Sequence, residues 1–122
     1  MTMRRMATTV ALLTIAAAPA AASELDGVWN RGDGKARVRI AACGASICAT
    51  NIWIGDPSSG EKVGDRLVMT LTKKAEGSYS GSAFDPQRNM TVSMNIRLGP
   101  NSFTSSGCVL GGVICKSMTW RR

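Results

Sequence analysis

Apolar residues recur at every second position along this chain, in runs too short to be helices. Lys35 to Ala41 is the clearest case: Ala36, Val38 and Ile40 fall on one side, and Lys35, Arg37 and Arg39 on the other. Arg66 to Lys73 repeats the pattern, with Leu67, Met69 and Leu71 opposite Val68, Thr70 and Thr72. Met90 to Leu98 sets Val92, Met94, Ile96 and Leu98 against Thr91, Ser93, Asn95 and Arg97. Successive side chains of an extended backbone point to opposite faces, so the alternation predicts strands with one apolar and one wet face. Nothing after Ser23 sustains a helical period.

Five further runs complete the set: Leu25 to Trp29, Ser46 to Ile54, Ser78 to Phe84, Ser102 to Val109 and Ile114 to Trp120. They are bounded by turn-forming clusters such as Asn30-Arg31-Gly32-Asp33-Gly34, Gly55 to Gly60, Lys74 to Gly77 and Asp85 to Asn89. Gly81, inside a strand, predicts a sharp bend or a close backbone approach. The expected fold is all-β, a small antiparallel meander of about eight strands, because parallel pairs need crossovers of a dozen residues or more. Such a meander can close into a barrel and so remove its edges, and a small sandwich is the rival architecture.

The first 22 residues are read apart from that domain. Arg4 and Arg5 form a positive start, Met6 to Ala18 an apolar run, and Pro19 leads into alanines. This layout predicts a secretory signal peptide cleaved after Ala22 or after Ala20, with residues 23–122 as one β-domain. The apolar run is too short for a spanning helix, which needs roughly 20 residues. The expected compartment is periplasmic, or secreted.

An exported domain of this size has a modest core and benefits from cross-links. The chain has four cysteines, Cys43 and Cys48 in CGASIC and Cys108 and Cys115 in CVLGGVIC. Three connectivities are open to them. The local pairs, Cys43–Cys48 and Cys108–Cys115, suit two hairpin-like turns and are the favoured reading. Zinc fits poorly, since structural sites use closer cysteine pairs, and no Cys-x-x-Cys redox motif occurs.

The chain contains no histidine. It therefore lacks the commonest metal ligand and the side chain best suited to proton transfer near neutrality. No carboxylate pair stands out either, so no catalytic residue, metal or cofactor is expected and the chain reads as a non-enzyme. Asp85, opening the Asp85-Pro86 turn beside Phe84, is the carboxylate to watch, with an Asx turn as its simplest role. Trp29, Trp53, Met69, Phe84, Met94 and Trp120 are the candidate core or ligand-lining residues. Arg31, Lys35, Arg37 and Arg39 form a basic stripe that could meet an anionic envelope component. Nucleic acid is not expected, because exposed aromatics for stacking are lacking among only six in the chain.

Several spaced pieces together resemble a family of small exported bacterial proteins of unknown function with a calycin-like, lipocalin-like barrel. They are Leu25-Asp26-Gly27-Val28-Trp29, the run from Val38 through Cys43-Gly44 and Cys48 to Trp53, the segment Tyr79 to Pro86, and Gly107-Cys108 through Cys115 to Trp120 and Arg122. The resemblance implies the barrel and the exported compartment. The stretch between Trp53 and Leu67 is shorter than the family's usual loop, and Val92 stands where a tyrosine is common. If those features border a site, the resemblance implies a reduced one here.

The expected function is accordingly binding: a small apolar or amphipathic ligand in the barrel mouth, or an envelope component on the surface. The alternative is an interaction, inhibitor or accessory module presenting Gly55–Gly60 or the Cys108–Cys115 loop. A monomer or weak dimer is expected, without a transmembrane segment.

Overall fold

A computed structural model describes residues 24–122. The signal-peptide reading of residues 1–22 lies outside them. Eight strands follow one another: β1 (Gly27–Arg31), β2 (Ala36–Cys43), β3 (Ser46–Ile54), β4 (Arg66–Ala75), β5 (Ser78–Asp85), β6 (Met90–Leu98), β7 (Ser102–Val109) and β8 (Ile114–Arg121). Each pairs antiparallel with the next, and β8 returns to β1, so the sheet is a closed barrel rather than a sandwich. Closure is narrow. Only Asn30↔Arg121 and Arg31↔Trp120 are in register, helped by the Gly32 N–H donating to the Thr119 carbonyl at 2.7 Å.

The alternation read from sequence decides which side chains enter the barrel. Ala36, Val38 and Ile40 of β2, Met69 of β4, Met94 and Ile96 of β6 and Phe103 of β7 are buried. Gly81 gives β5 room to lie against β4: an added Cβ would sit 1.9 Å from the Thr70 carbonyl oxygen. The outer faces are wet, and Asp85 is the sole acidic residue on any of the eight strands, against nine basic ones.

One end of the barrel is sealed. The Leu25 side chain is fully buried, and the Trp29 indole N–H donates to the Leu25 carbonyl at 2.8 Å. Arg122 lies over the Trp29 ring, 4.1 Å from its centre, and donates to the Asp26 and Glu24 carbonyls. Leu25 and Asp26 therefore belong to this plug and not to the first strand. Gly27, at φ +131°, makes the turn from plug to strand, a backbone conformation that glycine supplies at least strain.

Both disulfides are the local ones. Cys43–Cys48 braces the β2–β3 turn at the sealed end, and Cys108–Cys115 joins facing residues of β7 and β8 at the other.

Two aromatic residues expected inside are outside. Trp53 is 46% exposed because β3 carries an extra residue there: Val38 faces Asn51, but the adjacent Arg37 faces Trp53. That bulge at Ile52 puts Trp53 on the outer surface, across from the outward Arg37. Phe84 is 39% exposed because it follows the inward Ala83 directly. The hydrophobicity of the two rings was a weaker guide than strand parity and the bulge.

Candidate functional site at the barrel mouth

The unsealed end is bordered by the β1–β2 turn, the Gly55–Asp65 loop, the β5–β6 turn and the β7–β8 connection. Its central residue is Arg31, the last of β1. Trp29 of the same strand points inward, and two residues on Arg31 leans over the opening. Its guanidinium takes Glu61 in a two-pronged pair, Nη1–Oε1 2.6 Å and Nη2–Oε2 3.1 Å, while Nε donates to Asp33. Arg31 is thus not part of the exposed basic stripe. Lys35, Arg37 and Arg39 are outward and exposed, and Arg37 lies 5.9 Å from the Trp53 ring centre.

Local chemistry brings Glu61 to that position. Asp56 caps a short 3-10 turn over Pro57–Ser59 by accepting from the Ser58 N–H, and Gly60 ends it in a left-handed conformation. The Ser59 hydroxyl then donates to Glu61 at 3.1 Å. Beyond it, the Gly64 N–H donates to the Asn51 carbonyl and the Asn51 N–H to the Asp65 carbonyl, both at 2.8 Å, anchoring the loop to β3. The hydrogen bonds from Arg31 hold the Glu61 carboxyl below the usual carboxylate range, as they do for Asp33.

Asp85 serves the β5–β6 turn. It accepts from the backbone N–H groups of Gln87 and Arg88 and pairs with the Arg88 guanidinium at 2.9 Å. Burial pushes its carboxyl up, but the Arg88 and Gln87 hydrogen bonds outweigh this and hold it below the ordinary value. Gln87 in turn bridges to β4, donating to the Arg66 carbonyl and accepting from the Arg66 N–H.

Arg31 and Trp120 line two bays of the mouth, beside a polar recess of about 340 Å³ between Arg31, Asp33, Lys35, Glu61, Arg88 and Lys116. One bay, of about 200 Å³, is polar above and apolar below, with Glu61, Asp65, Arg66 and Gln87 over Val38, Ala49 and Leu67. The other, of about 340 Å³, is apolar, lined by Val92, Met94, Gly107, Val109, Ile114 and Met118, with Lys116 and Ser105 as polar points. Trp120 forms the wall between them, its indole N–H donating to Ser105 Oγ at 3.0 Å. It stacks on Phe103, whose ring meets Trp29 edge-on at 4.6 Å. Beneath the bays a space of about 40 Å³ lies among Ile40, Met69, Met94, Phe103 and Trp120, and the column of Trp120, Phe103 and Trp29 occupies the barrel below.

Of the six expected core or lining residues, Trp29, Met69 and Met94 are buried and Trp120 separates core from mouth, while Trp53 and Phe84 lie outside. The sequence reading passed over Glu61, Arg88, Ile114, Lys116 and Met118 as site residues, and met Val92 only through the family resemblance. Ile114, Lys116 and Met118 were within reach of it, since even spacing puts them on the face of Trp120.

Residues 27–122 match the family model described as "Uncharacterized protein conserved in bacteria (DUF2147)". The chain belongs to that family. The match begins at the first residue of β1 and runs through Arg122, so the DUF2147 unit and the barrel coincide. A solved structure described as a redesigned beta barrel has a TM-score of 0.55 with this chain at 21% identity, covering 85% of this chain and 96% of that one. That likeness is one of fold. No curated protein matches the chain. Among the described residues, no helix of this DUF2147 member is long and apolar enough to cross a membrane.

Proposed function

We propose that this DUF2147 protein is an exported, non-catalytic barrel that binds a small amphipathic ligand in the apolar bay of its mouth. The carrying observation is the bay itself: about 340 Å³ of open, apolar-lined space with Trp120 as one wall. That volume lies at the lower end of the roughly 300–1,000 Å³ of small-molecule sites. The ligand's apolar body would rest on Met94, Met118 and Trp120, and its polar end would face Lys116 and Arg31 at the rim. The filled lower barrel limits the ligand to a short one. Formed disulfides and the reading of residues 1–22 support export, which the N-terminal sequence of protein recovered from the periplasm would test.

Binding is tested by titration with a fluorescent short-chain fatty-acid probe. Saturable one-to-one uptake is expected. Gly107→Leu would fill the bay without distorting the strand, since a Cβ there meets Val92 and Met94 at 3.5 and 3.7 Å, ordinary contact distances. The variant should unfold near the wild-type temperature and take up no probe. Wild-type protein with no saturable uptake, or a Gly107→Leu protein that binds as before, overturns the reading.

A further inference from the structure

The large apolar residues left exposed are unevenly distributed. Seven of the eight, Ile52, Trp53, Val63, Phe84, Met90, Val113 and Ile114, lie at the mouth end, near the ends of strands or on the loops between them. The turns of the sealed end, Gly44-Ala45, Glu76-Gly77 and Gly99-Pro100-Asn101, carry none, and Val28 near the start of β1, 36% exposed, is the one exposed large apolar residue towards that end among the described residues. Val63 and Val113, at 65% and 81% exposure, sit on the two connections bracketing the opening, and Cys108–Cys115 braces the second. Scattered exposed hydrophobics need no explanation, but a ring of them at one end does.

The charges at this end are also sorted. Its carboxylates are engaged locally: Asp33 and Glu61 by Arg31, Asp85 by Arg88, Asp56 by Ser58, and Asp65 by the Lys62 N–H. Among the described residues, Lys35, Lys62, Arg66 and Lys116 pair with no carboxylate. Asp56 and Asp65 are met by neutral donors and keep their charge, and Arg31 balances one of its two carboxylates, so the four unpaired cations leave the rim positive by about one charge.

We infer that the mouth rim is a docking surface for an anionic lipid bilayer. A protein interface core is depleted of charge, whereas here lysines alternate with apolar tips around an opening. That alternation suits the boundary of a bilayer, where apolar side chains enter the acyl region and lysine stems extend to the headgroups. Trp53 fits the same level. Its ring is packed on Gly55, where a Cβ would come within 2.5 Å of it, and half of it remains open. Docked this way, the bay opens onto the lipid. The inference stands on the rim and not on the bay being a ligand site.

Co-sedimentation of the protein with vesicles tests it. Vesicles of phosphatidylcholine mixed with phosphatidylglycerol should pellet the protein, and vesicles of phosphatidylcholine alone should not. Brominated lipid in the mixed vesicles should quench tryptophan emission, and Trp53→Phe should remove most of that quenching. Val63→Asp with Val113→Asp should weaken binding roughly tenfold or more, two exposed valines being lost from the apolar contact. The pair Val63→Ser with Val113→Ser serves if the aspartates impair folding. Gly107→Leu should pellet like wild type, which separates this surface from the ligand bay. No pelleting with anionic vesicles, or full pelleting of both valine pairs, overturns the inference.

Discussion

The guanidinium of Arg31 holds the carboxylate of Glu61 across 30 residues of chain through two parallel hydrogen bonds of 2.6 and 3.1 Å. One residue ends the first strand and the other lies in the longest loop, so this pair fixes the loop over the mouth. Bidentate geometry makes it stronger than an ordinary surface pair. It also settles which half of the opening is polar.

Removing the pair should loosen the mouth before it weakens the barrel. Glu61→Gln is expected to cost about 1 kcal/mol, the upper end for a partly exposed pair, seen as a fall of about 4–8 °C in Tm. Hydrogen exchange should rise at Gly64 and Asn51, whose backbone bonds tether the loop, and stay unchanged in β5 and β6.

Acid should act through the same carboxylates. Glu61 and Asp33 are held low by Arg31, and Asp85 is held low by Arg88 and Gln87 against the upward push of burial. A carboxyl depressed in the folded state adds stability that is fully present above its unfolded value, about 4, and lost as pH falls through the folded value. The unfolding midpoint should be flat from neutrality to about pH 5 and decline below about pH 4. Glu61→Gln should make the decline shallower. A midpoint that rises on acidification would contradict this assignment.

Gly81→Ala should be severely destabilising. The new methyl would lie 1.9 Å from the Thr70 carbonyl oxygen, and backbone cannot yield as a side-chain tip can. A loss of about 3 kcal/mol, the upper end for overpacking, is expected in urea unfolding.

Tyr79→Phe should be neutral or stabilising by up to about 1 kcal/mol. The Tyr79 side chain is buried, and its hydroxyl has no hydrogen-bond partner among the described residues. Deleting an unsatisfied polar atom removes its desolvation penalty while the ring keeps its packing. A clear loss of stability would mean that the hydroxyl is bonded in solution.

The two disulfides close loops of similar length, so Cys43→Ser with Cys48→Ser and Cys108→Ser with Cys115→Ser should each cost about 2–2.5 kcal/mol on the chain-entropy account. Their local consequences should differ. Loss of Cys43–Cys48 should loosen the sealed end, and loss of Cys108–Cys115 should loosen the mouth and weaken probe uptake. Urea unfolding and probe titration separate the two effects.

The sequence by itself determined the strands, their order, and most of the barrel's inside. Period-two alternation in β2, β4 and β6 is a local property, and short turns leave antiparallel neighbours as the simple topology. Local cysteine spacing made the disulfide pattern legible for the same reason, as Gly81 did for the close approach of two strands. Only the tertiary structure decided what lies outside and what faces the mouth. A single extra residue at Ile52 turned Trp53 outward, and nothing in the composition of β3 marks that slip. The pairing of Arg31 with Glu61, the division of the mouth by Trp120 and the gathering of exposed apolar residues at one end depend on barrel closure. Closure joins residues from the two ends of the chain, such as Arg31 and Trp120, whose proximity no local pattern encodes.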